Sequence, residues 1–328
     1  MGRTYDYDVV IVGGGPAGLT AGMYAGRSML RAVVLERGAP GGELLMTETV
    51  EDYPGFEHIT GWELAERFER HARKFGAEIH TGVTAETVRK TSDGSFETVS
   101  ESGDVYRSPA VILTAGGTPI KLGVPGELEY AGKGVSYCAI CDGAFFKGHT
   151  MAVVGGGDAA CEEADFLTRY AEKVYLIHRR HEFRASKIIQ KRVFENPKIE
   201  VIWDSVVERI AGDDNGLVKH TVLRNVVTNE VVDLPVTAVF VFIGFRPNTG
   251  VLADHVEHDA GGYIITDETM ESSVPGLFVA GDVRAQLTRQ VSTAAGDATT
   301  AAIAVEKYLT ALRHGHTPAV HGAGGYSP

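Results

Sequence analysis

Cysteine is scarce in this chain: three residues in 328, namely Cys138, Cys141 and Cys161. That excludes a disulfide-stapled secreted scaffold. It also leaves a zinc site short of ligands, because no second C-x-x-C and no H-x-x-x-H is present. Long apolar runs are missing too, and none approaches the ~20 residues of a membrane span. The opening Met1 to Asp6 is polar and meets an apolar stretch, Val9 to Val12, too short for the core of a signal peptide. Position six is Asp rather than Ser or Thr, which argues against myristoylation. Positive charge is in deficit: 31 Lys and Arg stand against 43 Asp and Glu, a formal net charge of −12 that repels phosphate backbones and anionic lipid. Neither a nucleic-acid nor a membrane partner is expected, and the expected compartment is a reducing cytoplasm.

What is plentiful is glycine, with 40 residues gathered in clusters that follow apolar runs, as nucleotide-binding turns require. Hydrophobic content of 44% and charged content of 23% are those of a globular protein, and the length predicts two domains.

Asp8 to Val12 has the unbroken apolarity of a parallel strand covered on both faces. Gly13-Gly14-Gly15-Pro16-Ala17-Gly18 follows at once, and Leu19 to Ser28 reads as a helix. In such a turn Gly13 permits the tight bend, Gly15 admits a pyrophosphate to the backbone, and Gly18 lets helix pack on strand. The next strand, Ala32 to Leu35, ends in Glu36, an acid placed to accept hydrogen bonds from an unmodified adenosine ribose. Trp62 to Gly76 carries Leu64, Ala65, Phe68, Ala72 and Phe75 at helical spacing. From Ala77 to Leu113 short alternating runs predict a small antiparallel excursion before Val111-Ile112-Leu113 returns to the main sheet.

The signature then repeats with Ala160 in place of the last glycine, which the fingerprint allows, and with one decisive change. Ala152 to Val154 opens a second strand, Gly155 to Ala160 makes the turn, Cys161 to Tyr170 reads as a helix, and Lys173 to Ile177 is the following strand. Glu36 and His178 each stand 23 residues beyond the first glycine of their own turn. In the second copy the acid is replaced by His178-Arg179-Arg180, with Arg184 nearby. Guanidinium groups match phosphate geometry, so this copy is expected to hold a 2′-phosphorylated adenosine.

Between the two turns lies Cys138-Ala139-Ile140-Cys141-Asp142. A C-x-x-C pair beside strand-helix-strand units reads first as a redox dithiol, with a structural disulfide or half a zinc site as the bland readings. The two-residue gap lets both sulfurs share a helical first turn, and the Asp142 carboxylate is placed to pass a proton. Cys161 reads as a small core residue. Further strands are expected at Glu200 to Trp203, Ser205 to Arg209, Val218 to Arg224 and Ala238 to Ile243. Leu277 to Asp282 reads as a buried strand ending in a carboxylate, and Arg289-Gln290 opens a small-residue helix, Val291 to Leu312. Arg313 to Pro328 has almost no apolar content and is expected to be disordered; His314, His316 and His321 read as tail residues.

Taken together, the two turns, Cys138 to Gly143 as C-A-x-C-D-G, His178 to Arg184 as H-R-R-x-x-x-R, Ala280 to Asp282 as A-G-D and Arg289-Gln290 as R-Q make the chain resemble the low-molecular-weight thioredoxin reductases of bacteria and archaea, class II pyridine nucleotide-disulfide oxidoreductases. The likeness runs from residue 7 to about 312. It implies an α/β fold of two Rossmann-like dinucleotide-binding domains of the three-layer ββα type, the second inserted in the first. FAD then belongs to residues 1–117 with 249–312, NADPH and the redox C-x-x-C to 119–246, and 313–328 is a tail. Carried onto this sequence, the FAD positions are Gly13, Gly15, Pro16, Ala17, Gly18, Glu36, Gly42, Glu43, Leu44, Asp52, Val83, Ala115, Gly116, Gly281, Asp282, Arg289, Gln290 and Val291. The NADPH positions are Gly155, Gly157, Asp158, Ala159, His178, Arg179, Arg180, Arg184, Ile243 and Gly244. The catalytic residues implied are Cys138, Cys141 and Asp142, with no metal, a homodimer, and thioredoxin or a thioredoxin-like protein as partner.

The chain departs from the family pattern at Glu43, where Gln is usual, at Asp52, where Asn is usual, at Thr114-Ala115-Gly116 for Ala-Thr-Gly, and at Ala159 for Ser. Glu43 and Asp52 add negative charge where the flavin is expected, which predicts a lower reduction potential. Two other functions use a related scaffold: reduction of another protein disulfide, glutaredoxin-like or peroxiredoxin-linked, and a ferredoxin-NADP reductase. The second lacks the cysteine pair, so Cys138 and Cys141 argue against it.

Overall fold

A computed structural model of the chain describes residues 2–47, 49–213 and 215–315. Two compact units are present, one formed by the described residues of 1–118 and 246–328, the other by those of 119–245. Arg313 closes the last helix, Val291–Arg313, so the expected tail begins later than its composition suggests. Residues 316–328, with His316 and His321, lie outside the described residues.

The first unit is built on a five-stranded parallel sheet, ordered Leu277–Val279, Ala110–Leu113, Val9–Val12, Ala32–Glu36, Glu78–Thr81. Four of its strands are almost wholly apolar because both faces are covered, whereas the edge strand Glu78–Thr81 buries only Ile79. Val9, Ile11, Val34, Ile112 and Phe278 pack against the helices Pro16–Arg27 and Val291–Arg313. Their neighbours Val10, Val12, Val33, Leu35 and Leu113 pack the other way, on Val88, Phe96 and Tyr106 of a second sheet. That sheet runs Thr4–Asp6, Val105–Ser108, Phe96–Ser100, Ala85–Lys90, antiparallel except for its parallel outer pair Thr4–Asp6 and Val105–Ser108. The last helix buries Ala294, Ala298, Ala301, Ala302 and Ala304, side chains small enough for close helix packing. Ile11 is fully buried in this core, and Ile11→Ala would cost about 2–5 kcal/mol.

The second unit repeats the plan. Its parallel sheet is ordered Val135–Ser136, Ala238–Phe242, Thr150–Gly155, Lys173–Ile177, Ile199–Ile202. Met151, Val153, Leu176 and Phe240 face the cluster of the helices Asp158–Leu167 and Lys187–Glu195. Ala152, Val154, Ile177 and Val239 share a core with Val207, Ile210, Val218 and Leu223 of the antiparallel strands Ser205–Gly212 and Val218–Asn225. A third strand, Val231–Pro235, joins that sheet and was not legible in the sequence, because it is an exposed edge with no buried alternation.

Each helix that follows a glycine turn begins three residues before the apolar spacing suggests, at Pro16 and not Leu19, and at Asp158 and not Cys161. Gly15 and Gly157 are the N-caps. Proline suits the first helical position, where its missing N–H is no loss, and a helix end that meets a ligand needs no apolar stripe. In both sheets the strand order reverses beside the turn-bearing strand, next to Ala110–Leu113 in one unit and next to Ala238–Phe242 in the other. A crevice at the carboxyl ends of the strands opens at such a reversal, and ligands bind there in open α/β sheets.

Candidate active site

In the first crevice the turn is held by close backbone contacts. Gly13 has φ +110°, and a Cβ there would collide with the Thr114 carbonyl; one at Gly18 would collide with the Gly13 carbonyl. Gly15 is different: the nearest atom to a Cβ would be Gly42 Cα at 3.8 Å, so this face of the turn is open. The short 3-10 helix Gly42–Met46, which carries Glu43 and the buried Leu44, is laid against the turn where the Gly41 N–H donates to Gly14 O at 2.8 Å. Gly281 abuts Ala17: a Cβ at Gly281 would stand 3.0 Å from the Ala17 methyl. Val291 packs on the cluster around Leu44, and the Val83 N–H donates to Glu36 O at 3.0 Å. Asn248 ties down the chain after Leu113: its Nδ2 donates to Ala115 O at 2.8 Å and its N–H to Gly116 O at 3.0 Å.

Glu36 is fixed from two sides. Its Oε2 accepts the Gly14 N–H at 2.7 Å and its Oε1 the Gly38 N–H at 2.8 Å. A carboxylate has about four lone-pair sites, so room remains for ribose hydroxyls. With Gly15 open at the N-terminus of Pro16–Arg27, these residues fit an adenine dinucleotide without a 2′-phosphate.

Asp282 follows Gly281, and that turn is clamped by an ion pair. Arg284 donates from Nε and Nη2 to the two oxygens of Asp297, both at 3.1 Å, and the Gly281 N–H reaches Asp297 Oδ2 at 3.3 Å. Burial raises the Asp282 carboxyl above its usual range, Arg289 opposes the shift and Asp297 adds to it. Glu43 is raised as well, first by burial and then by Asp282, against Arg37. The Glu43 side chain still reaches solvent, so its shift reflects the protein volume around the carboxyl and not full enclosure. The Arg289 guanidinium lies 3.8 Å over the Tyr263 ring, and Gln290 caps the last helix through its N–H to Thr293 Oγ1 at 3.0 Å. Asp52 is exposed on the segment between Thr49–Val50 and Ile59–Thr60.

In the second crevice Gly157 is the open position, with no atom within 4 Å of where a Cβ would stand. The loop after Lys173–Ile177 folds back on the turn: the Arg184 N–H donates to Gly156 O at 2.8 Å and the Ser186 N–H to Asp158 Oδ1 at 2.6 Å. Arg179, Arg180 and Arg184 are exposed, and Ala159 is exposed on the first helical turn. Ile243 and Gly244 continue the neighbouring strand Ala238–Phe242 past Gly155. His178 does not join the arginines. It is 5% exposed, its ring lies where a Cβ on Gly156 would collide, and Trp203 meets it edge-on at 6.2 Å. Burial holds its pKa below the usual value, helped by Arg184 and Arg180 and opposed by backbone hydrogen bonds with Glu182 and Gly155. A neutral imidazole therefore backs this turn where Glu36 backs the first.

Cys138 and Cys141 are joined in a disulfide, with 5.4 Å between their Cα atoms. Cys138 is the N-cap of the one-turn helix Ala139–Asp142, Cys141 lies within that turn, and the Cys141 N–H donates to Cys138 Sγ at 3.1 Å. Cys138 is buried, Cys141 exposed and Asp142 half-buried. The third cysteine is excluded from such chemistry: Cys161 is a buried thiol whose pKa burial pushes up to about 12. Among the described residues no cluster of three or more His, Cys, Asp or Glu suits a metal ion.

One family model, described as pyridine nucleotide-disulphide oxidoreductase, matches the chain over residues 7–298. The chain belongs to that family. Among curated relatives, a thioredoxin reductase from Bacillus subtilis (strain 168) is 45% identical over 308 residues, 94% of this chain and 96% of the relative. One from Treponema pallidum (strain Nichols) is 45% identical over 94% of this chain and 99% of its own. Among solved structures, Lactococcus lactis thioredoxin reductase superposes with a TM-score of 0.90 at 41% identity, covering 93% of this chain and 99% of that one. The T. acidophilum thioredoxin reductase gives 0.87 at 36% identity, covering 92% and 98%.

Several residues that shape this oxidoreductase's site escaped the sequence. Asn248, the Arg284–Asp297 pair and Glu127, which accepts the hydroxyl of Tyr137 beside Cys138, belong to no spacing motif. The one sequence signal lay at Asp297, a charge set in an otherwise small-residue helix.

Proposed function

We propose that the protein is an NADPH-dependent thioredoxin reductase. One observation carries the reading: the Cys138–Cys141 disulfide sits in the same unit as a nucleotide crevice whose exposed cations are Arg179, Arg180 and Arg184, while the other unit offers a crevice closed by Glu36. FAD is assigned to the first crevice and NADPH to the second, and when bound they supply hydride and two-electron chemistry. Residues 1–117 with 249–312 are read as the FAD domain and 119–246 as the NADPH domain. Kinship with the relatives above is the reason to propose thioredoxin as substrate, a homodimer, and a cytoplasmic site of action.

The chain's own residues then do the following. Two electrons open the Cys138–Cys141 bond to a dithiol. One thiolate attacks a sulfur of thioredoxin's disulfide and expels the other sulfur as a thiolate; the second cysteine displaces the mixed disulfide, closes Cys138–Cys141 again and leaves thioredoxin as a dithiol. Asp142, at the end of the one-turn helix, gives and takes the protons that the leaving sulfurs require. The arginines bind the 2′-phosphate, and Glu36 orients the adenosine end of the flavin nucleotide.

The test is a panel of oxidised partners, namely thioredoxin, a glutaredoxin-like protein and a peroxiredoxin-linked protein, with NADPH oxidation as the readout. Turnover with thioredoxin well above the others is expected. Preference for another protein disulfide would move the substrate and keep the mechanism, and activity only with one-electron acceptors would overturn both.

A further inference from the structure

Glu127 is the only buried acidic side chain among the described residues of the second unit, with 1% of its surface exposed. A carboxylate withdrawn from water is tolerated only when its lone pairs are met. Here three donors meet it: the Leu122 N–H at 2.7 Å and the Tyr137 O–H at 2.7 Å on Oε1, and the Gly123 N–H at 2.6 Å on Oε2. Two of the donors are backbone amides that can do nothing but donate. The pocket therefore offers donors to both carboxyl oxygens; a glutamine in its place would turn an N–H toward one of those amides.

The donors come from two pieces of chain. Leu122 and Gly123 belong to the segment that enters this unit, and Tyr137 immediately precedes Cys138. The Ser136 hydroxyl adds a second hold on the same backbone, accepting the Cys138 N–H at 3.0 Å and donating to the Cys138 carbonyl at 3.1 Å. Cys138 in turn accepts the Cys141 N–H on its sulfur. From Glu127 to the disulfide every link is a hydrogen bond or a peptide bond.

We propose that Glu127 is a positioning residue for the Cys138–Cys141 couple: through Tyr137 it fixes the backbone that delivers Cys138, and so helps to set the balance between disulfide and dithiol. This rests on the reading of the pair as the redox centre. Closing a disulfide depends on the effective concentration of one thiol at the other, and a backbone held in place raises it. Releasing the hold favours the dithiol. A purely structural carboxylate would lower thermal stability and leave that balance alone, which separates the two roles.

The experiment uses the flavin-loaded enzyme equilibrated in glutathione buffers of graded composition, where disulfide and two glutathione thiols exchange for dithiol and glutathione disulfide. Acid quenching and alkylation in denaturant then count thiols by mass: one, from Cys161, when the pair is closed, and three when it is open. Tyr137→Phe, which keeps the ring and deletes one donor, is expected to shift the equilibrium about threefold toward dithiol. Glu127→Gln is expected to shift it about tenfold, equivalent to about 30 mV. Ser205→Ala, which removes a buried hydroxyl bonded to Trp203 O elsewhere in the unit, is expected to lower Tm without moving the equilibrium. Should Glu127→Gln not fold, Tyr137→Phe decides alone. An equilibrium within twofold of wild type in the folded variants overturns the positioning role. A wild-type pair that never opens overturns the redox reading instead.

Discussion

The carboxylate of Glu36 accepts a 2.7 Å hydrogen bond from the amide of Gly14 and thereby locks the end of one strand to the nucleotide turn that follows another. Hydrogen bonds to a charged group contribute about 1.5–3 kcal/mol. Glu36→Ala removes this bond, the one to Gly38 and the acceptors proposed for the ribose, so FAD affinity is expected to fall at least tenfold. Flavin fluorescence on titrating the deflavinated protein reads it directly. A variant that retains FAD as wild type does would remove Glu36 from the site.

The second crevice predicts cofactor choice. Arg180→Ala combined with Arg184→Ala deletes two exposed guanidiniums from the loop that folds back on the turn. At about 1.5–3 kcal/mol for each charge-assisted contact, kcat/KM for NADPH is expected to drop a hundredfold or more while NADH is little affected. Equal losses for both nucleotides would mean that these side chains do not read the 2′-phosphate.

Both crevices were legible in the sequence because their signals are local: an unbroken apolar strand, glycines at fixed offsets, and a residue 23 positions on that closes the turn. The burial of His178 was not, since nothing in His178-Arg179-Arg180 says which side chains turn inward. That depends on Gly156, Phe183 and Trp203 leaving a ring-sized space against the turn. Glu127 with Tyr137, ten residues apart, and Arg284 with Asp297, thirteen apart, were equally hidden, because Glu127, Tyr137 and Arg284 lie outside the regular helices and strands whose periods a sequence displays. Val231–Pro235 was missed for the opposite reason: its exposed valines lack the alternation that marks a half-buried strand.

His178 makes stability depend on pH in a definite direction. Its folded pKa lies below the ordinary value of 6.5, so above that pH both folded and unfolded states carry a neutral ring. As pH falls through 6.5 the unfolded chain takes up a proton that the folded chain refuses, and stability is lost at up to about 1.4 kcal/mol per pH unit until the folded pKa is reached. Urea unfolding at pH 7.5 and 5.5 is expected to show a larger loss for wild type than for His178→Gln. Parallel losses would mean that the ring is protonated in the native state.

The disulfide predicts a separation of half-reactions. Cys138→Ser or Cys141→Ser leaves Gly13, Glu36, Gly157 and the arginines untouched, so both proposed nucleotides are expected still to bind, and NADPH is expected still to bleach the flavin absorbance in a single turnover. Reduction of a protein disulfide needs both sulfurs, one to attack and one to resolve, and Cys161 cannot substitute for either because it is buried with a thiol pKa near 12. Steady-state turnover with thioredoxin is therefore expected to fall by a thousandfold or more in each variant, with the two differing in what accumulates. The variant that keeps the attacking cysteine is expected to trap thioredoxin as a mixed disulfide visible on non-reducing gels, and the other is expected to trap none, which identifies the attacking sulfur. Turnover near wild type in either variant would make the pair a structural link and would withdraw the electron path assigned to it.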